Sequence, residues 1–506
     1  MKVIPEVQHA VSKPLRMLRS AAPGRLALNM EGLEAEDELE VGSVALTDRA
    51  YQAGTGPNLV TTPGLSFMGL GSGFNGPQGQ FQFAFAPPDP NASVGPAQVV
   101  ETVNLSIAVF DKATGAVLAG PISLPGLFAG FNAQCSNAAQ VADPVVLYDK
   151  RAGRWVIEFV TLPTPYLSCI AVSTSGDATG SYNLYAFQVQ ASGYNATPRL
   201  AVWPDAYYLS ARIYTGIAQS TYVGPAACAV DRSQMIAGAA ATMQCFQISN
   251  TVIDGMLPSD LDGANDPPSG APNYYLVQGP RGSASLYLFR FHVDFVNPAN
   301  STLTGPVVLG VAAYTPGGNV VPQPGTTQLL AVNGNCLMHR LAYRNFPGAN
   351  PPHESLLATH SVMLGQTATR RIGLRWYEVR NPGSAPAIFQ QGTYSPDLTY
   401  RWNGSIGMDK IGNIAIGYNA SSASVYPSIR YTGRTTRDRA GTMETELTIL
   451  NGTASQTGTP RWGDYSTMSL DPADDCTFWF TGEYMAAVGA LNWASYLYSF
   501  KFPSCQ

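Results

Sequence analysis

The sequence predicts an all-β protein, a seven-bladed β-propeller preceded by an extended N-terminal arm, and three observations carry that expectation. Only 12% of the 506 residues are charged, while 50 Gly, 38 Pro, 25 Tyr and 20 Phe make a turn-rich and aromatic-rich composition. From Phe81 onward, short alternating runs of Val, Ile, Tyr and Phe are punctuated by Gly, Asp and Pro, the pattern of half-buried strands. A strand running into an Asp-led turn and a second strand recurs along the chain, and such repetition marks an array of similar units.

Residues 1–80 hold Pro, Gly and an acidic stretch from Glu31 to Glu40 without a sustained period, and read as a poorly packed arm. The repeat is clearest at Asp111-Lys112…Gly115, Asp149-Lys150…Gly153 and Asp409-Lys410…Gly412. Aspartate suits such a turn because its carboxylate accepts the backbone N–H two residues on, and glycine supplies the positive φ. Aligning on that Asp places Asp143, Arg199, Asn403 and Tyr465 six positions upstream of Asp149, Asp205, Asp409 and Asp471. Units are then expected to begin near 97, 143, 199, 257, 328, 401 and 461, all within a propeller over 81–506. The last unit shows three strands, so the run at 81–86 is expected to supply its fourth and close the ring. A four-stranded sheet with two apolar faces cannot bury both alone, whereas a radial array buries each against a neighbour. Two stacked β-sandwich domains, the competing architecture, require a central linker that the sequence does not plainly offer.

A net charge of −5 gives no field for nucleic acid. No run approaches about 18 apolar residues, which excludes a spanning helix. The first 25 residues lack the apolar core of a signal peptide, so an export signal is expected to have been removed from a secreted or periplasmic protein. Seven dispersed cysteines argue against a zinc ribbon; the pairs Cys135–Cys169, Cys228–Cys245 and Cys476–Cys505, with Cys336 left over, suit an oxidising compartment, and seven reduced buried thiols are the competing reading. No cofactor is expected; a structural calcium among the Asp-rich turns stays open.

The stretches PPDPNASVG (87–95), DPVVLYDKRAGRW (143–155), CIAVSTSGDATGSY (169–182), RWNGSIGMDKIGNIAIGY (401–418) and RWGDYSTMSLDPADDCTFWF (461–480) together resemble a family of secreted bacterial β-propeller proteins. The resemblance implies export and a propeller, and it carries over no catalytic residues. A looser likeness to sialidase propellers is architectural only, since the Ser-x-Asp-x-Gly-x-Thr-Trp boxes are missing and sialidase propellers have six blades.

In a propeller the innermost strands converge on one axis, so equivalent positions from distant units meet at its mouth. The expected converging set is Asp89 or Asn91, Asp143, Arg199, Asp262, His339, Arg340, Arg401, Asn403, Arg461 and Asp464. Arg outnumbers Lys 23 to 6, and its planar fork binds carboxylate or sulfate bidentately. Arg199, Arg340, Arg344, Arg401 and Arg461 are therefore expected to clamp an anionic oligo- or polysaccharide, with Trp402 and Trp462 offering faces for sugar stacking. The competing reading makes the same charges an ion-pair belt joining the blades. Asp143, His339, Asp464 and Tyr465 are the acid, base or nucleophile candidates, because glycosidic cleavage uses a carboxylate pair or a tyrosine. Two functions stand at this point. One is a glycoside hydrolase or polysaccharide lyase, the other a non-catalytic adhesin or scaffold using the same mouth.

Overall fold

A computed structural model describes residues 1–19, 47–52, 54–82, 85–137, 141–217, 221–280, 284–366 and 369–506. The protein is all-β; among the described residues the α-helices are the short segments Leu124–Leu127 and Arg232–Ala237. Among the described residues the strands form seven antiparallel four-stranded units, six built from strands consecutive in sequence and the seventh completed from the N-terminal segment. Their first strands are Asn91–Val94, Val141–Asp149, Tyr194–Val202, Leu257–Leu261, Leu341–Phe346, Tyr400–Met408 and Thr467–Leu470. Units four and five are also joined edge to edge, Ser259–Leu261 pairing in parallel with Leu341–Tyr343.

The first strands touch one another in sequence order, and Thr467–Leu470 touches Asn91–Val94, so the units close a circuit around a shared axis. Side chains of one inner strand cap the backbone of the next. Asn91 Oδ1 and Ser93 Oγ accept the N–H groups of Val146 and Tyr148, Asp260 Oδ1 accepts that of Val202, and Ser405 Oγ accepts that of Met468. An apolar cluster fills each gap. Val109 of unit one packs with Trp155 of unit two, Leu147 of two with Leu209 of three, and Tyr208 of three with Phe291 of four and Tyr377 of five. Trp376 of five then packs with Ile416 of six, Tyr431 of six with Phe478 of seven, and Trp493 of seven with Phe110 of one. Burial on both faces of every sheet explains why strands with so few charges stay folded.

The recurring turn behaves as its chemistry demands. Oδ1 of Asp111, Asp149, Asp409 and Asp471 accepts the N–H two residues on, at 2.9–3.1 Å. Asp205 departs from the pattern, because the turn of unit three is closed instead by Trp203 N–H on Ala206 O. This corrects the alignment. Inner strands two, three and six each carry a bulge, at Asp143, Thr197 and Asn403, and these residues share φ values of 59°, 48° and 54°. Thr197 is thus the equivalent of Asp143, and Arg199 lies two residues further along its strand.

The described parts of the segment before residue 81 pack against the units rather than forming a poorly packed arm. Lys2–Pro5 pairs with Thr242–Cys245 as a fifth strand of unit three, and Gln8–Val11 does the same for unit two. Leu15 is fully buried against unit one, and Asp48 pairs with Arg375 of unit five. Thr62–Gly71 supplies the fourth strand of unit seven by pairing with Trp493–Lys501. That takes the place expected for 81–86, of which 83 and 84 lie outside the described residues. A Cβ at Gly69 would stand 2.4 Å from Glu101 Oε2 and Ser495 Oγ, so a larger residue there displaces these side chains. The acidic stretch Glu31–Glu40 also lies outside the described residues. The first and fifth units begin at 91 and 341 rather than near 97 and 328.

Cys135–Cys169, Cys228–Cys245 and Cys476–Cys505 form disulfides, and Cys336 is a buried free thiol. Three disulfides fit an extracellular or periplasmic protein. No helix among the described residues is long and apolar enough to cross a membrane.

Candidate functional site

The axis has two ends with different contents. Where the inner strands begin, carboxylate oxygens of Asp89, Asp143 and Asp464 lie within 4.8 Å of one another, all three residues buried. Asp143 and Asp464 thus meet as the sequence led us to expect. Their oxygens are already engaged. Asp143 Oδ2 accepts Thr197 N–H at 2.8 Å, Asp89 accepts Asp464 N–H and Asn104 Nδ2, and Asp464 accepts Asn333 Nδ2 at 2.8 Å and Arg461 Nη2 at 3.0 Å. The adjoining cavity, lined by Thr197, Arg199, Asn333, Cys336 and Asp464, holds only about 30 Å³, the share of one water molecule rather than a sugar.

Tyr465 and His339 flank the carboxylates. The Tyr465 hydroxyl donates to Pro144 O at 2.9 Å, its ring lies under Arg199 at 4.8 Å, and the His339 ring is 5.7 Å away. Burial pushes the Tyr465 phenol well above its ordinary range, against nucleophilic use. Burial, with Arg199 and Arg340 adding repulsion, pushes His339 well below its own, so it is neutral near pH 7.

Where the inner strands finish there is room. A cavity of about 400 Å³ is lined by Tyr148 from the end of the first strand of unit two, by Lys150 and Arg151 from the turn that follows it, by Asp260 and Asp262 from unit four, and by Arg340. Thr467, Ser469 and Asp475 of unit seven complete its polar wall. The volume lies in the range of small-ligand sites. Arg340 bridges both aspartates of unit four, Nη1 to Asp260 at 3.0 Å and Nη2 to Asp262 at 2.7 Å, while its Nε donates to Met468 O. Arg344 forks onto Asp475 at 2.6 and 2.7 Å. Burial pushes the Asp260 carboxyl up, against the pull of Arg340.

The remaining expected residues lie away from both cavities. Arg401 is held by Asp397 and Glu446 at 2.7–3.1 Å on the flank of unit six. Trp402 and Trp462 are buried with ring centroids 5.7 Å apart, and Trp462 donates to Asn419, so neither ring is free to stack on a sugar. The expected arginines are thus divided, Arg199 and Arg461 to the narrow end, Arg340 and Arg344 to the wide one, Arg401 to neither. Asp260, Lys150 and Asp475 were not singled out as site residues. The signal for the first was present in Ser-Asp-Leu-Asp (259–262), because aspartates two apart on a strand share a face.

No family model matches the chain, and no curated protein does. Among solved structures it is similar to a Dyadobacter fermentans protein of unknown function, at 8% identity and a TM-score of 0.39, covering 72% of this chain and 95% of that one. It is also similar to a Hadza microbial sialidase at 8% identity and 0.37, covering 81% and 74%, and to an endo-arabinase from Bacteroides thetaiotaomicron at 14% and 0.30, covering 60% and 96%. Likeness at these scores assigns no activity.

Proposed function

We propose that the seven units are the blades of a β-propeller, and that the protein binds a glycan in the 400 Å³ cavity at the wide end of the axis. The observation that carries this reading is the composition of the wall. Donors (Lys150, Arg151, Arg340) and acceptors (Asp260, Asp262, Asp475) face one space together with the hydroxyls of Thr467 and Ser469. Each sugar hydroxyl both donates and accepts, so a wall mixing fixed acceptors with fixed donors satisfies several at once. The narrow end, by contrast, we read as a structural belt of Asp89, Asp143, Asp464, Arg461 and Tyr465 that holds the blades together.

Binding is tested by calorimetric titration against a panel of soluble oligosaccharides, with Asp262→Ala and Arg401→Ala compared. Loss in the first variant and retention in the second supports the cavity; equal binding by both removes it.

Cleavage is a second reading, favoured by Asp260 and Asp262 sharing Arg340 while burial keeps the proton on Asp260 to higher pH. Asp260 is then the acid and Asp262 the base or nucleophile. Release of reducing ends by the wild type, abolished in Asp260→Asn and Asp262→Asn, is the expected signature.

A further inference from the structure

Of the four cations around the wide cavity, three are already committed. Arg340 is held between Asp260 and Asp262, Arg344 forks onto Asp475, and Arg151 pairs with Asp266 at 2.7 Å and donates to Ala264 O. Lys150 is different. It leaves the turn of unit two half-buried, lines the cavity, and among the described residues has no carboxylate within 4.0 Å of its Nζ. An ammonium half-withdrawn from water without a direct ion pair is costly, and the cost falls when a carboxylate comes into contact with it.

We propose that the cavity takes a carboxylate-bearing sugar unit, a uronic acid or similar sugar acid, whose carboxylate is held by Lys150. This rests on the glycan reading above and narrows its ligand class.

The other groups facing the cavity favour a single negative charge over a double one. Asp260, Asp262 and Asp475 line the same space, so a phosphate dianion meets three carboxylates, whereas a sugar acid brings one charge and several hydroxyls that donate to them. The apolar stretch of wall at Leu147, Leu261 and Leu470 suits the C–H face of a pyranose. Burial first, with Arg344 in addition, lowers the Lys150 ammonium to about 8 against the opposing pull of Asp262, Asp475 and Asp260. The side chain therefore still carries its proton in most molecules near neutral pH and loses it above about pH 8.

The test compares trigalacturonate, the neutral galactotriose and inorganic phosphate by calorimetric titration of the full chain at pH 6.5 and 9, for the wild type, Lys150→Met and Lys150→Arg. At pH 6.5 the wild type is expected to bind the acid trisaccharide at least tenfold more tightly than the neutral one. Lys150→Met abolishes that preference, weakening the acid trisaccharide far more than the neutral one. Lys150→Arg retains it, and also retains it at pH 9, where the wild type loses most of it. The assignment is overturned if Lys150→Met keeps the preference, if the wild type binds both trisaccharides equally, or if phosphate binds more tightly than the uronate. Equal binding overturns only the ligand class; binding of neither trisaccharide overturns the glycan reading with it. Matching thermal melts of the three proteins separate a binding defect from misfolding.

Discussion

At the narrow end of the axis, Asp89, Asp143 and Asp464 gather with Arg199 and Arg461 around about 30 Å³; at the wide end, Asp260, Asp262 and Asp475 gather with Lys150, Arg151 and Arg340 around about 400 Å³. The residue types are nearly the same. What differs is where the charges spend their hydrogen bonds. At the narrow end the acids point at backbone N–H groups, amides and Arg461, so polar satisfaction is internal and little space is left. At the wide end the ion pairs lie along the wall, and the Lys150 ammonium borders the space without an ion pair among the described residues. A ring of charge at a mouth is therefore compatible with a belt or a binding site, and room together with unspent donors decides between them.

The largest effect expected from this comparison is on stability at the narrow end. Arg461 and Asp464 are both buried, and removing one partner strands the other's charge, which costs about 3–5 kcal/mol. Arg461→Met is therefore expected to lower the urea midpoint strongly while leaving the glycan affinity of the folded fraction unchanged. A normal melt with lost binding would exchange the roles of the two ends.

At the wide end the balance reverses. Asp262→Asn keeps the shape and one acceptor oxygen for Arg340, in a pair that borders open space, so a stability loss of about 1–2 kcal/mol is expected. Glycan affinity should fall more than tenfold in the same variant, read by calorimetry. A stability loss as large as that of Arg461→Met, with affinity intact, would make this end a belt too.

How much of this was legible from sequence follows from what each feature depends on. The turn Asp of units one, two, six and seven was readable because its bond is local, two residues on. Of the disulfides, Cys228–Cys245 was readable from the strand pattern, because both cysteines fall on neighbouring strands, whereas Cys135, Cys476 and Cys505 lie in segments between strands. The register of unit three was misread at Arg199, because a bulge at Thr197 shifts the strand and a threonine at positive φ leaves no compositional trace. The closing strand was misplaced because Thr62–Gly71 buries only its last residues, so its alternation is weak. Convergence of Asp143 with Asp464 was expected with two outcomes, an ion-pair belt or a ligand site, and the sequence offers nothing that chooses between them. Whether two carboxylates leave a pocket depends on Asn104, Asn333 and Thr197, which arrive from other segments.

A pH dependence separates the ends at smaller cost. Glu483, next to the narrow-end belt, accepts Gly463 N–H and is fully buried; burial first, and Asp464 in addition, push its carboxyl well above the ordinary 4.5. The native state thus holds a proton that the unfolded chain releases above about pH 4.5. Its stabilisation is complete below that pH and declines as the pH rises through the folded value, by about 1.4 kcal/mol per pH unit. Glu483→Gln is expected to flatten the fall in melting temperature between pH 5 and 9, without changing the pH profile of glycan binding. A parallel change in both profiles would mean the two ends are coupled.

The smallest effect is the sharpest discriminator. Thr467 lines the wide cavity, is 1% exposed, and its Oγ1 has no hydrogen-bond partner in the protein. An unsatisfied buried hydroxyl is a liability to the unliganded fold, so replacing it with the isosteric valine should leave stability unchanged or raise it by up to about 1 kcal/mol. If a sugar hydroxyl bonds to Oγ1, the same Thr467→Val change costs about 0.5–1.5 kcal/mol of binding, roughly a two- to twelvefold weaker affinity. The opposed signs matter more than the sizes. Thr197, whose Oγ1 is likewise unpartnered beside the narrow cavity, supplies the control. Thr197→Val should not alter affinity, because no sugar fits there. If Thr197→Val weakens binding and Thr467→Val does not, the ligand enters from the narrow end, and the cavity at the wide end is only space between blades.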